Sequence, residues 1–189
     1  MVTDDNMGLW SALKSLFKKK QQNCRILVVG LDNSGKTTIL NKIKPAKAAL
    51  LEVVPTVGFN LEEFAKNNLQ FTCYDMSGHS RYRELWVRFY SEAQAVIFVL
   101  DATDRLRLSV AKAELDEILN HPDIRSRPIP ILIFANKMDL PNACSPVECT
   151  EELRLHEITS RPWTIIPSVA ISGDGLEEGV SWLTNKLVV

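Results

Sequence analysis

Two apolar patterns alternate along this chain of 189 residues. Continuous short runs at Arg25–Val29, Ala95–Leu100 and Ile131–Ala135 read as strands covered on both faces. Between them the spacing turns helical. Thr38–Ile43 opens a helix that Pro45 ends, and Ser109–Asn120 turns Val110, Ala113, Leu115, Ile118 and Leu119 inward. Residues 46–57 carry no clean period and read as a loop. Gly58–Phe64 and Leu69–Tyr74, bracketing Ala65–Asn68, form a β-hairpin, and Arg81–Trp86 runs from loop into helix. Pro122, Pro128 and Pro130 mark a loop. Ser145–Pro146–Val147–Glu148 is a capping box with proline at the first helical position, so a helix starts there. Trp163–Ala170 is a last strand, at a sheet edge because Pro167 lacks an N–H. Ser172–Gly175 turns the chain into a closing helix over Leu176–Leu187. This alternation is that of a doubly wound α/β fold: a mostly parallel sheet, right-handed crossovers, and a ligand at the carboxyl edge of the strands.

The first twenty residues stand apart from the domain over 21–189. Residues 1–7 are polar and aperiodic, expected to be unstructured. From Gly8 to Lys20, Leu9, Trp10, Leu13, Leu16 and Phe17 share one helical face opposite Lys14, Lys18, Lys19 and Lys20. That composition suits a helix lying in a membrane interface, and equally a helix stowed on its own domain. The rest of the composition is ordinary, with 46% hydrophobic and 24% charged residues and a net charge of −1, which gives no general attraction to nucleic acid. No secretory segment or apolar run near membrane-spanning length is present, so the expected setting is cytoplasmic and the expected state a monomer. Cys24 and Cys73 lie in predicted strands as small hydrophobes. Cys144, Cys149 and His156 fit no common zinc spacing.

The chemistry is concentrated at Gly30–Leu31–Asp32–Asn33–Ser34–Gly35–Lys36–Thr37–Thr38, a G-x-x-x-x-G-K-[ST] motif between a strand and a helix. Its N–H groups can point at phosphate oxygens, Lys36 can reach the β- and γ-phosphates, and the Thr37 hydroxyl suits Mg²⁺. Asp32 would set a negative charge near the terminal phosphate. Asn136–Lys137–Met138–Asp139 follows the strand over 131–135. A carboxylate at Asp139 can accept from the N1–H and exocyclic amine of guanine, whereas adenine offers it no such pair of donors. Asn136 can hold the loop and touch the base edge, while the Lys137 stem covers the ring. Asp75, closing a strand, is placed to hold Mg²⁺ with Thr37, and Thr56 is a third candidate ligand. Gly78 lets a backbone N–H approach the terminal phosphate.

Together, G-L-D-N-S-G-K-T-T, P-T-V-G-F, D-M-S-G, N-K-M-D and S-G-D-G-L resemble the ADP-ribosylation-factor-like small GTPases over residues 8–188. Within that family, D-M-S-G-x-x-R-Y-R-x-L-W, L-N-H-P-D-I and P-I-L-I-F-A-N-K-M-D-L are most similar to the sixth Arf-like subtype, the ciliary Bardet–Biedl branch. The resemblance implies a P-loop small GTPase fold, with six strands, one of them antiparallel, and helices on both faces. It implies a GDP/GTP switch that hydrolyses GTP slowly. Phosphates and base would be bound by Gly30–Thr38, Thr56, Gly78, Asn136, Lys137, Asp139, Ala170 and Ile171, and Mg²⁺ by Thr37, Thr56 and Asp75. Catalysis would involve Thr56, Gly78 and His79. It implies a hairpin that slides between states in concert with residues 8–20. Its implied partners are an exchange factor, a GTPase-activating protein and a coat-like complex recruited to membranes at the cilium or basal body.

Two departures from that family stand out. Where its members carry glutamine after Gly78, this chain has His79, so hydrolysis is either slow and dependent on an activating protein, or negligible in a nucleotide-locked scaffold. Met7–Gly8–Leu9 looks like the family's own beginning, and Ala12 stands where an N-myristoylation signal needs Ser or Thr. Phe59, Tyr74, Leu85, Trp86 and Tyr90 are candidates for an apolar partner patch, with Phe59 and Trp86 expected to be partly exposed.

Overall fold

The computed structural model describes residues 22–45, 54–67 and 69–188. The predicted helix over 8–20 and most of the loop over 46–57 lie outside the described residues. Six strands form one sheet: β1 (Gln22–Val29), β2 (Phe59–Lys66), β3 (Leu69–Met76), β4 (Ala95–Asp101), β5 (Ile131–Asn136) and β6 (Trp163–Ser168), in the order β2-β3-β1-β4-β5-β6. All neighbours are parallel except β2 and β3. Proline-bearing β6 is an edge strand, as a residue without an N–H requires.

The pleat divides the apolar runs between two cores. From β1, Leu27 and Val29 face one cluster while Cys24, Ile26 and Val28 face the other. The first is closed by helices α3 (Leu108–Asn120) and α5 (Pro146–Glu152), through Leu115, Ile118 and Cys149. Opposite, α1 (Lys36–Ile43) and α6 (Leu176–Leu187) contribute Ile39, Leu40, Val180 and Leu183. Two short helices, α2 (Val87–Tyr90) and α4 (Pro122–Arg125), occupy connections, α4 where the prolines predict a loop. The Ser145 capping box is present, with Ser145 accepting from the Glu148 N–H and the Glu148 carboxylate from the Ser145 N–H.

Four expectations are corrected. The buried stripe of α3 is Leu108, Ala111, Leu115 and Ile118, whereas Val110 and Ala113 are exposed. At about 100° per residue, the face that meets the sheet excludes both. The hairpin strands pair as far as Lys66 and Leu69, so Ala65 and Lys66 belong to the strand rather than the connection, and Asn67 follows at φ 50. Trp86 is 1% exposed, and its indole donates to the Ser77 carbonyl at 3.0 Å, so it is core. Phe59 is 44% exposed as expected, but Tyr74 and Tyr90 are buried. Exposed apolar side chains outside that predicted set include Val54, Val57, Leu61 and Val87.

Replacing Leu115 by Ala is expected to cost about 2–5 kcal/mol of unfolding free energy. Val110→Ala is expected to stay within about 0.5 kcal/mol. Equal losses in denaturant titrations would contradict the stripe.

Candidate functional site

The carboxyl edge of the sheet opens into a cleft of about 570 Å³. Asp32, Asn33, Gly35–Thr38, Val54–Val57, Met76–His79 and Tyr82 line it. Gly35 begins α1 at φ 98, and a Cβ there would come within 2.3 Å of the Asn136 amide nitrogen. The loop ahead of α1 therefore coils as a strand-to-helix turn with its polar backbone turned inward. Lys36 is buried, and its Nζ donates to the carbonyls of Gly30 at 3.0 Å and Leu31 at 2.7 Å. Burial lowers its pKa to about 8 despite the nearby Asp75 and Asp32 carboxylates. The ammonium is thus short of counter-charge, which phosphate oxygens in the loop would supply.

At the floor of the cleft three oxygen-bearing side chains converge from separate elements. Thr37 Oγ1 donates to Asp75 Oδ2 at 2.6 Å, and Thr56 Oγ1 lies 3.0 Å from Thr37 Oγ1 and 3.4 Å from Asp75 Oδ2. Asp75 is 1% exposed, and its second oxygen has no partner among the described residues. Burial raises its carboxyl above the usual range, against the hydrogen bond from Thr37 and the charge of Lys36. A carboxylate with one oxygen orphaned in the interior, together with two hydroxyls, fits a hard divalent cation such as Mg²⁺, which takes oxygen ligands alongside phosphates.

The segment after β3 is braced from behind. Arg83 Nε donates to the Gly78 carbonyl at 2.8 Å, and its guanidinium pairs with Glu114 at 2.6 Å and reaches Asp32 at 3.8 Å. Gly78 lies so close to the phosphate loop that a Cβ would sit 2.2 Å from the Leu31 carbonyl carbon. His79 is exposed at the rim, and its Nδ1 accepts the Arg81 N–H at 3.3 Å. Asp32 is turned to Arg107 at 3.0 Å, so its charge is largely offset rather than set against an incoming phosphate.

The remaining predicted residues gather beside the cleft without lining it. Asn136 is buried; its Nδ2 donates to the Ser34 carbonyl at 2.8 Å and its Oδ1 accepts the Ala170 N–H at 3.0 Å. Its polar atoms thus join three loops rather than presenting an open edge. Lys137 takes φ 67, and its ammonium pairs with Asp101 at 2.6 Å, laying its stem along the loop. Asp139 and Ile171 are exposed on the same edge. The glycine-bearing loop, the Thr37–Thr56–Asp75 cluster and the loop carrying the exposed Asp139 carboxylate thus share one sheet edge.

The model of the ADP-ribosylation factor family matches residues 9–187. The chain belongs to that family. It is 51% identical over 181 residues to ADP-ribosylation factor-like protein 6 of Danio rerio, covering 96% of this chain and 97% of that one. The Caenorhabditis elegans protein of that name is 44% identical, covering 96% and 95%. Among solved structures, the Arl6 BBS3 small GTPase of Trypanosoma brucei with bound nucleotide analogue GppNp has a TM-score of 0.83 at 41% identity. It covers 88% of this chain and 98% of that one. As a member of the ADP-ribosylation factor family this chain is a GTP-binding switch and a GTP hydrolase.

Four supporting residues escaped sequence reasoning: Asp101, Arg83, Trp86 in its indole role, and Arg107. Only Asp101 left a usable signal, a charge ending an apolar run in register with Asn136. The arginines act across long sequence separations that spacing does not encode.

Asn136→Ala strands the Ser34 carbonyl and the Ala170 N–H. We expect a loss of about 1–3 kcal/mol for each stranded group, together with weaker nucleotide retention. A thermal melt and nucleotide off-rate matching the parent would overturn the bracing role.

Proposed function

We propose that this chain cycles between GDP and GTP through the cleft at the sheet edge, and in the GTP form gathers a coat-like effector complex on a membrane, at the cilium or basal body. The observation that carries the site reading is the convergence of Thr37, Thr56 and Asp75 around an unpaired buried carboxylate oxygen, beside a buried lysine short of counter-charge. Thr37, Thr56 and Asp75 would hold Mg²⁺, which would neutralise charge on the β- and γ-phosphates. Lys36 would leave its loop carbonyls for those phosphates, and the N–H groups of residues 30–38 would cradle them. The Gly78 N–H would meet the terminal phosphate, its loop steadied through the bond from Arg83 to the Gly78 carbonyl. Asp139 would read guanine, Lys137 would cover the ring, and Ala170 and Ile171 would line the base alongside the Asn136 brace.

His79 would set the pace. With Nδ1 accepting the Arg81 N–H, the neutral ring carries its proton on Nε2 and offers a water a donor but no acceptor. Such a ring can orient a water weakly and cannot take its proton, so cleavage would be slow and would depend on a partner. In an activating protein an arginine can add about 10³–10⁵ in rate. The same ring supports the second reading, a scaffold locked in one nucleotide state. Nucleotide released from the denatured protein, followed in time after GTP loading, separates the two. Slow conversion to GDP is the expected result, and His79→Gln, whose carboxamide offers both acceptor and donor, is expected to quicken the single turnover. An unchanged or slower turnover in the variant would defeat the role given to His79.

Residues 8–20 are proposed as the membrane contact, coupled to the nucleotide through the β2–β3 hairpin. The apolar and lysine faces of that segment support it, and no helix among the described residues is long and apolar enough to span a bilayer. Loading with a GTP analogue is expected to increase co-sedimentation with liposomes over the GDP form. Equal pelleting of the two would sink the coupling.

A further inference from the structure

A second cleft, of about 460 Å³, lies at the opposite edge of the sheet, where β5 and β6 begin. It is formed by the second half of α3, the end of α4, and the chain from α5 to β6, through Lys112, Asp116, Asn120, Arg125, Leu153, Arg154, Glu157, Ser160 and Arg161 among others. Arg161 is the feature that needs explaining. The residue is 7% exposed, one terminal nitrogen donates to the Ile124 carbonyl at 3.2 Å, and its buried Nε has no partner. No carboxylate pairs with it among the described residues. Among the described residues its neighbour Arg127 is likewise held by carbonyls, those of Asp123 at 2.8 Å, Ala93 at 2.8 Å and Tyr90. Burial, and then the charge of Arg127, pull the Arg161 pKa below its ordinary value. A buried guanidinium left with an unpaired N–H is costly unless something anionic meets it.

The rest of the lining has the right balance for such a ligand. Lys112 is bound to Asp116, and Arg154 only grazes Glu157 at 3.9 Å, both of those side chains being largely in solvent. Arg125 is exposed and has no carboxylate partner among the described residues. The lining holds four basic groups, Lys112, Arg125, Arg154 and Arg161, against two acidic ones, Asp116 and Glu157. A positive hollow is thus set in a chain whose net charge is −1. The Asn120 amide and the Ser160 hydroxyl add neutral donors at its wall. Its volume falls within the range of small-ligand sites, about 300–1,000 Å³, and exceeds what a bare ion needs.

We propose that this cleft binds a small soluble phosphate monoester. Its phosphoryl group sits over the Arg161 guanidinium where that side chain lines the cleft, supplying the negative charge the buried cation lacks, with Arg125 and Arg154 closing over it from the rim. Guanidinium groups bind phosphate through directed N–H pairs, which distinguishes this site from a merely positive surface. The site is separate from the nucleotide cleft and independent of how that cleft works.

The test is an amide-resolved NMR titration of the protein loaded with GDP and Mg²⁺, so that the nucleotide cleft is filled. Glycerol 3-phosphate is added at constant ionic strength, with inorganic phosphate, sodium chloride and phosphatidic acid vesicles in parallel. Saturable shifts confined to residues 112–127 and 153–163 are expected with glycerol 3-phosphate, and weaker ones with inorganic phosphate. Arg125→Ala with Arg154→Ala, both at exposed positions, is expected to weaken binding about tenfold without changing the melting temperature. Lys186→Ala on the exposed face of α6 is expected to leave it unchanged. Arg161→Met serves as a further arm if it folds. Shifts that sodium chloride reproduces, that map to the phosphate loop, or that survive the double substitution would overturn the proposal. So would association with the vesicles in the absence of any response to the soluble monoester.

Discussion

A carboxylate sits almost wholly inside this protein with one oxygen unpaired, and the site is arranged around that fact. Asp75 ends its strand beside β1, where the parallel ladder carries it to the sheet edge next to the phosphate loop. Even after the surroundings relax, removing a charged group from water costs on the order of several kcal/mol. Thr37 Oγ1 and the Lys36 ammonium return part of that cost, and the unpaired oxygen remains. Lys36 is under the opposite stress, a buried cation short of anions. A metal–phosphate group would satisfy both at once, since the cleft's own side chains leave an acid and a base under-compensated. Affinity for such a ligand follows from groups already desolvated and oriented, which need little further ordering on binding.

The same economy shapes the loop that follows Asp75. Gly78 is pressed against the backbone of the phosphate loop, leaving no room for a side chain. It cannot be held there by its own contacts, so the bracing comes from Arg83 and Trp86, which bond the Gly78 and Ser77 carbonyls from the side away from the cleft. Arg83 also engages Glu114 on α3 and lies near Asp32 on the phosphate loop. One guanidinium therefore touches both phosphate-facing loops and the helix behind them. A change in either loop would alter its partners.

The fold was legible because its apolar runs are short, continuous and spaced by helical stretches, and each of those signals is local. Asp75, Thr37, Lys36 and Asn136 were legible as well, since each sits at a strand end or at a fixed offset within a motif. What the sequence withheld was direction. The rotation of α3 that exposes Val110 depends on how the helix meets the sheet. The burial of Trp86 depends on a carbonyl nine residues earlier that needs a donor. Asn136 could be read as a base contact or a brace, and only its bonds to Ser34 and Ala170 favour the brace. Arg107 and Arg83 find Asp32 across long stretches of chain, where spacing carries no information.

The two edges of the sheet solve opposite electrostatic problems. At the carboxyl edge the unpaired group is an acid, Asp75, beside a buried Lys36 that calls for negative charge, and a divalent cation with phosphate would reconcile the two. At the amino edge the unpaired group is a base, Arg161, and no acid lies within pairing distance among the described residues. Neither is repaired by repacking, because each side chain emerges from the end of a buried strand or its lead-in, where the backbone is fixed by the ladder. β5 and β6 link the two edges directly: Asn136 and Ser168 end them at the nucleotide side, and Ile131 and Trp163 begin them beside the basic cleft. A rigid parallel pair of this kind transmits little by bending. Coupling between the edges would have to pass instead through α3, whose Glu114 holds Arg83 and whose Lys112 and Asp116 line the second cleft.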